Sequence, residues 1–290
     1  MSLFICLISG LFWSFFDLTR KLCLKKISSE FLLLIFSFCQ IIIFGVWCLF
    51  QFPTLLINDY IWFGSFLLLI NVISAVVFLK SLDLSEISMT LPLLSFSPLF
   101  SAFFSFYLLS EKITSYQYLG VFLIIFGTMT LYTKSFKLTD FFFSLNLIFS
   151  EKGARYMLFV SLIWSVTPIF DKLCFKYASF NIHGLIQALG MYILLLIYVF
   201  KRQQNLLNIR LLKDNFKLFS FTMFVGSVAT ILQFIAISIS LVPIMESIKR
   251  AVGQIGAVFY GKYIFSEVIN FKKIFGILII TFGTFFVLLF

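Results

Sequence analysis

The stretch Leu241–Glu267, LVPIMESIKRAVGQIGAVFYGKYIFSE, is long enough to cross a bilayer as a helix, yet it carries three charges in its first third. On a helix, Glu246 precedes Lys249 by three positions and Arg250 by four, so the three side chains share one face. The acid neutralises one base, and one positive charge remains. Because an ionisable group in hydrocarbon is costly, it usually faces a bundle interior or a water-filled cavity. We therefore expect this helix to line such an interior.

The second half of the same stretch places a small residue at every fourth position, namely Gly253, Ala257 and Gly261. Such a stripe lets the backbone of a neighbouring helix approach closely. We expect a helix–helix contact along this face.

The composition of the whole chain is that of a helical membrane protein. Of its 290 residues, 61% are hydrophobic and 12% are charged, and the mean hydropathy is +1.09. The apolar residues form runs of bilayer-spanning length instead of the short alternating segments of a β-barrel. We predict an all-α polytopic membrane protein with ten transmembrane helices, near residues 3–22, 32–52, 61–80, 87–109, 116–133, 156–176, 181–200, 218–239, 244–264 and 271–289.

The net charge of +10 does not indicate nucleic acid, because most bases lie in short segments between apolar runs, where topology signals and lipid contacts are expected. The five cysteines form no CxxC pair and no Cys/His cluster, so neither a disulfide framework nor a metal site is indicated, and we expect no cofactor. The first apolar run lacks the features of a removable signal peptide and is predicted to be the first span.

The two halves of the chain repeat. Trp13-Ser14 followed by KLCLK at Lys21–Lys25 recurs 151 residues later as Trp164-Ser165 followed by KLCFK at Lys172–Lys176. Three further residues recur 156 positions on: Glu111, Gly120 and Gly127 become Glu267, Gly276 and Gly283. Each half holds five spans, an odd number, so the halves enter the membrane from opposite faces. We predict an inverted repeat, with residues 1–135 and 156–290 as the halves and residues 136–155 as the linker.

These residues resemble a known family. The run Leu91–Thr128 is similar to helices four and five of the EamA domain of the drug/metabolite transporter superfamily, with Ser97-Pro98, a helix-ending Glu111 and two spaced glycines. The segment Ser247–Glu267 is similar to a bacterial EamA branch with Lys-Arg in helix nine. The second copy lacks the Ser-Pro pair, so we do not expect helices four and nine to bend alike.

The resemblance implies a ten-helix carrier in a bacterial cytoplasmic membrane that moves a small metabolite through a central cavity by alternating access. Substrates in the superfamily range over amino acids, nucleotide sugars, organic phosphates and lipophilic cations, so the fold does not name the cargo. Our prediction is an amino acid, a nucleoside-like compound or a phosphorylated metabolite. The alternatives are a multidrug or cation exporter and a non-transporting membrane scaffold. We expect a monomer or homodimer whose further partners are membrane lipids.

Glu246, Lys249 and Arg250 are the leading substrate-binding candidates. Arg250 offers a planar fork for a carboxylate or phosphate, and Lys249 offers a point charge. Organellar phosphate translocators of the superfamily use basic cavity residues in a similar way. The alternative is an internally paired cluster near a helix end, whose long side chains reach the interface.

Four further side chains are candidates for the same site: Trp13, Trp164, Gln187 and Gln233. The two tryptophans are repeat equivalents that either line the cavity or lie in the interfacial belt. The glutamines bind substrate or form interhelical hydrogen bonds.

Two carboxylates could couple transport to protons: Asp17, which we expect to be the deeper, and Asp171. Each has a neighbouring base and could equally form a helix-end ion pair. His183, the only histidine, is expected near the surface.

No P-loop, nucleophile elbow or HExxH motif is present in the sequence, so we predict a transporter and not an enzyme, driven by protons or a counter-substrate. Orientation is open. Of 22 basic residues, 17 lie in the odd-numbered loops, which by the positive-inside rule puts both termini outside, whereas ten-helix relatives have them in the cytoplasm.

Overall fold

The computed structural model describes residues 2–84, 91–132, 151–201, 215–266 and 271–289, and these residues form ten α-helices. A 3₁₀ helix, Leu91–Phe96, leads directly into the fourth. The helices are α1 Ser2–Leu24, α2 Ser29–Phe50, α3 Ile57–Leu84, α4 Ser97–Leu109, α5 Ser115–Tyr132, α6 Lys152–Cys174, α7 Phe180–Lys201, α8 Phe216–Ile239, α9 Val242–Phe265 and α10 Phe271–Leu289. The all-α fold class is confirmed. Helix α6 begins inside the expected linker, and residues 133–150 lie outside the described part.

Six helices are long and apolar enough to cross a membrane: α1, α2, α3, α6, α7 and α8. Three shorter apolar helices accompany them, over Leu93–Leu109, Ser115–Thr130 and Lys273–Leu289. Many large apolar side chains, such as Trp62 and Phe224, are exposed on the outside of the bundle. A soluble protein rarely exposes so much apolar surface, whereas lipid accepts it. The protein is therefore an integral membrane protein.

Local signals explain several helix ends. Ser28 caps α2 by accepting a hydrogen bond from the Phe31 amide. Proline lies in the first turn of both α4 and α9, where its missing N–H costs nothing. Both helices end on a serine in the left-handed conformation, Ser110 with φ 57° and Ser266 with φ 54°. Their starts differ, because only α4 is preceded by a 3₁₀ segment.

Helices α5 and α10 cross at close range. A Cβ atom added to Gly120 would lie 2.6 Å from the carbonyl oxygen of Gly283, and one added to Gly127 would lie 2.9 Å from that of Gly276. Glycine is required at this crossing because backbone atoms of the partner helix occupy the space of a side chain. The earlier glycine of α5 meets the later one of α10, so the two helices are antiparallel.

The centre of the bundle is built around α1, α6 and α9. Helix α1 packs against α8 and α9, whereas α6 packs against α3 and α4. Cys6 contacts Ser240 beyond the end of α8, and Cys23 contacts Thr222 near its start, so α1 and α8 are antiparallel. Helices α2 and α7 form a further pair.

The predicted helix contact along the small residues Gly253, Ala257 and Gly261 of α9 was wrong in detail. A Cβ at Gly253 would meet nothing within 4 Å among the described residues, and Ala257 is exposed, while Gly261 is buried. The close contact with α1 instead uses Gly256, which lies against Ser14, together with Gly10, which lies against Val252. The stripe rotates off the contact because residues four apart advance by more than one helical turn.

Candidate functional site

Three charges of α9 meet inside the bundle. The Glu246 side chain is 0% exposed, and its carboxylate pairs with the Lys249 ammonium through one oxygen and with the Arg250 guanidinium, at 3.4 Å, through the other. The two basic side chains are each 14% exposed. One carboxylate thus serves two cations, so the largely buried cluster carries one net positive charge.

Two neighbouring helices hold this cluster in place. Ser97, at the start of α4, donates its hydroxyl to Glu246 Oε2 at 3.2 Å and accepts from Arg250 Nε at 2.9 Å. Gln233 of α8 accepts from Lys249 Nζ at 3.2 Å. The sequence analysis quoted Ser97 only as part of a family motif, and the Ser-Pro pair was the signal that could have found it.

The repeat-equivalent tryptophans lie against the two bases. Lys249 Nζ is 5.6 Å from the centre of the Trp13 ring, and the Arg250 guanidinium carbon is 5.7 Å from that of Trp164. Both distances are within cation–π range. Trp164 also donates to Ser74 of α3 at 3.1 Å, whereas Trp13 Nε1 is buried with no hydrogen-bond partner in the described part of the chain.

The structure therefore brings six of the candidate residues together: Glu246, Lys249, Arg250, Trp13, Trp164 and Gln233. Gln187 is not among them, because its amide donates to Tyr60 and to the Gly64 carbonyl. The geometry favours an interior site over side chains that reach the membrane surface, since the carboxylate holding both bases is fully buried.

The structure reverses the expected depths of Asp17 and Asp171. The Asp17 side chain is 54% exposed and pairs with Arg20 at 2.7 Å, the helix-end ion pair that was left open as an alternative. The Asp171 side chain is only 11% exposed and is the deeper of the two.

Asp171 belongs to a second buried polar chain, which joins α3, α6 and α7. His183 Nε2 is 3.0 Å from Asp171 Oδ1, and His183 Nδ1 is 3.0 Å from the Tyr60 hydroxyl. The expected surface position of His183 was wrong, because this side chain is 0% exposed. Its place at the first turn of α7 suggested a surface, but α7 begins beneath the aromatic rings of Phe175 and Phe234.

A third cluster connects four helix ends at one side of the molecule. Lys172 donates to Glu111 Oε1 at 2.6 Å and to the Ser240 carbonyl at 2.7 Å, and Glu111 Oε2 accepts the Val242 amide at 2.8 Å. Glu111 thereby satisfies a free N–H at the start of α9, where a carboxylate is favoured. A groove of about 360 Å³ opens here, lined by Lys172 together with Ser2, Leu3, Ser238, Ile239, Ser240, Leu241 and Ile244.

The helices and the buried charges describe a polytopic membrane protein with a charged centre. The family model of the EamA-like transporter family matches residues 1–133, so this part of the chain is similar to that family of membrane transporters. The resemblance seen in the sequence is confirmed.

No curated protein matches the chain. Among the solved structures, 29 chains match. One, described only as a crystal structure of a protein, aligns with a TM-score of 0.74 at 15% sequence identity, covering 99% of this chain and 98% of the other. At that identity the likeness shows a shared fold.

Proposed function

We propose that this protein is a secondary transporter for a small anionic or polar metabolite, such as an amino acid, a nucleoside-like compound or a phosphorylated metabolite. The observation that carries the proposal is the net positive charge held between Trp13 and Trp164. A buried cation without its own counter-ion is costly. A carboxylate or phosphate placed beside Lys249 and Arg250 supplies the missing charge and accepts their free N–H groups.

The aromatic rings fit the same cargo. Trp13 and Trp164 offer flat apolar walls beside the two bases, and Trp13 Nε1 offers a donor that has no partner in the described residues. A metabolite with an anionic end and a flat or apolar body would satisfy both features. A lipophilic cation would meet the positive cluster directly, which disfavours the multidrug exporter.

The transport architecture we propose is ten spans in two inverted repeats, with boundaries at residues 1–135 and 156–290. The helix contacts support it. The crossing of α5 with α10 joins equivalent helices in antiparallel orientation, and the packing of α1 on α8 and α9 has its counterpart in the packing of α6 on α3 and α4. Two halves related in this way can rock about a central site, which is the basis of alternating access.

The route to the site starts at the groove beside Lys172. Its lining includes Ile244, which lies within a turn of Glu246 on α9. The Glu111–Lys172 pair joins α4 to α6 beside this groove and ties both to the start of α9. We infer that breaking this contact widens the route from one side, in a bacterial cytoplasmic membrane.

A liposome experiment tests the proposed cargo. Purified protein is screened for thermal stabilisation by a library of anionic metabolites, and uptake of the best ligand into proteoliposomes is then measured. We expect Arg250→Gln to lower uptake at least tenfold, because the planar fork for the anion is lost. Arg155→Gln, at an exposed arginine near the start of α6, is the matched control and should keep wild-type uptake.

Three outcomes contradict parts of the proposal. Wild-type uptake by the Arg250→Gln variant removes the basic pair from the mechanism. Flux of organic cations alone removes the anion site. No flux of any solute supports a non-transporting scaffold.

A further inference from the structure

We propose that the Asp171–His183–Tyr60 chain is a proton-binding site that couples transport to a proton gradient. This inference rests on the proposed function and names its driving ion. The site is separate from the charged cluster of α9, because it is built from α3, α6 and α7.

The hydrogen bonds define the proton positions before uptake. An ionised Asp171 only accepts, so His183 Nε2 carries a hydrogen and donates it. The neutral ring then accepts at Nδ1 from the Tyr60 hydroxyl. Tyr60 in turn accepts from Gln187 Nε2 at 3.3 Å. The side chains of Asp171, His183 and Tyr60 are thus all hydrogen-bonded, but together they carry one uncompensated negative charge.

The same hydrogen-bonded chain can accept one more proton if the Gln187 amide turns, which gives up its hydrogen bond to the Gly64 carbonyl. The added proton occupies His183 Nδ1, which then donates to the Tyr60 oxygen, and the imidazolium cancels the charge of Asp171. The Tyr60 hydroxyl hydrogen must turn to a new acceptor. Gln187 Oε1 is buried with no hydrogen-bond partner among the described residues, on the same side chain that already contacts Tyr60. Rotation of this amide brings the oxygen to the tyrosine and completes the chain.

The groups packed around His183 and Tyr60 offer few other binding sites for the proton. Helix α6 adds Cys174, which packs with Tyr60, and α2 and α8 add the rings of Phe44 and Phe234. The neighbouring Lys172 is engaged by Glu111 and the Ser240 carbonyl. Asp171 keeps slight contact with the outside, at 11% exposure, so protons reach the chain from this end. The imidazole of His183, bonded at both ring nitrogens, can hold a proton on either one, as a coupling site requires.

The site adjoins the contact that holds the start of α9. Asp171 and Lys172 are consecutive, and Lys172 binds Glu111, which holds the Val242 amide. When the His183 imidazolium cancels the charge of Asp171, the electrostatic potential at Lys172 changes, and so does the strength of the Lys172–Glu111 pair. Proton binding can in this way alter how tightly α6 holds α9, on which the substrate cluster lies.

Because His183 is the only histidine, one nitrogen-15 NMR spectrum reports on this site alone. Protein labelled with [15N]histidine is purified through a tag without histidine and titrated from pH 8 to pH 5 in detergent. We expect the neutral imidazole signals to convert to imidazolium signals in that range. In Asp171→Asn, the imidazolium-to-imidazole ratio at the wild-type midpoint should fall about tenfold, because the ion-pair partner is lost. Asp17→Asn is the matched control and should leave the titration unchanged.

A wild-type His183 that does not change state between pH 8 and pH 5 overturns the proposal, even if the variants fail to fold. So does a titration that Asp171→Asn leaves unaltered. Proton flux with a pH dye in proteoliposomes distinguishes the two levels of inference. Solute uptake that ignores a pH gradient refutes the proton site but keeps the transporter, whereas a normal titration without any solute uptake refutes the transporter. Loss of coupling in Asp17→Asn but not in Asp171→Asn would assign the coupling role to Asp17.

Discussion

Glu246 is the residue on which the charged centre depends. Its carboxylate is fully buried and engages both bases and the Ser97 hydroxyl. Coulomb attraction at such distances is strong in a medium of low polarity, and it offsets the cost of removing three charges from water. Removing the acid therefore harms the protein more than removing either base.

We predict that Glu246→Gln lowers the free energy of unfolding by about 3–5 kcal/mol, because two buried cations then repel each other without a shared anion. The double variant Glu246→Gln with Lys249→Met should recover part of this loss, since one cation is gone. Thermal or SDS-induced unfolding in detergent measures both. Equal stability of Glu246→Gln and wild type would show that the cluster is hydrated and not buried.

Two glycines, one on α5 and one on α9, have different surroundings. A Cβ atom added to Gly120 of α5 would lie 2.6 Å from the Gly283 carbonyl oxygen and 2.9 Å from the Val287 nitrogen, which are backbone atoms of α10. Gly253 of α9 faces open space as far as the structure describes it. A side-chain neighbour can move aside, but a helix backbone moves only with its whole helix.

We predict that Gly120→Ala destabilises the protein by about 1–3 kcal/mol, since the methyl group pushes α5 and α10 apart. The matched variant Gly253→Ala should be neutral or slightly stabilising, because alanine is the better helix former. Unfolding in detergent of the two variants in parallel tests this. A neutral Gly120→Ala would contradict the close crossing.

At the scale of the whole molecule, the connections between helices define the two membrane faces. Leu55 pairs with Ala178, so the α2–α3 and α6–α7 connections lie together. Helix α2 has 22 residues, about 33 Å in length, and separates this face from the α1–α2 connection.

We predict that single cysteines at Phe52 and Lys176, in a background with the five native cysteines replaced, are labelled from the same side of the membrane. A cysteine at Lys26 should be labelled from the other side. An impermeant maleimide on whole cells measures this. Because most basic residues lie in the odd-numbered loops, we expect the cysteines at the positions of Phe52 and Lys176 to be labelled from outside the cell. Reporter enzymes fused after Phe290 check the absolute orientation. Labelling of the cysteines at the positions of Lys26 and Phe52 from the same side of the membrane would contradict the fold.

The helices, and the likeness of residues 1–133 to the EamA-like transporter family, could be predicted from the amino-acid sequence. Hydrophobic runs separated by short basic segments placed nine helices within about four residues of their observed ends, because a bilayer fixes the length of an apolar helix. The fourth helix begins at Ser97, ten residues later than predicted, because the 3₁₀ segment Leu91–Phe96 precedes it. The three charges of α9 were recognisable as a shared face from their spacing alone. The Glu/Gly motif that recurs in the sequence includes the glycines that meet in the structure.

Which side chains share a site could not be predicted in this way, because it depends on how the helices pack. Asp171, His183 and Tyr60 lie on three helices, and no spacing within one helix predicts their contact. The same holds for Ser97 and Gln233 against α9, and for Asp17, whose exposure depends on where α1 ends in the bundle. Helical periodicity determines which residues share one helix face, but burial and partnership depend on the neighbouring helices packed against that face.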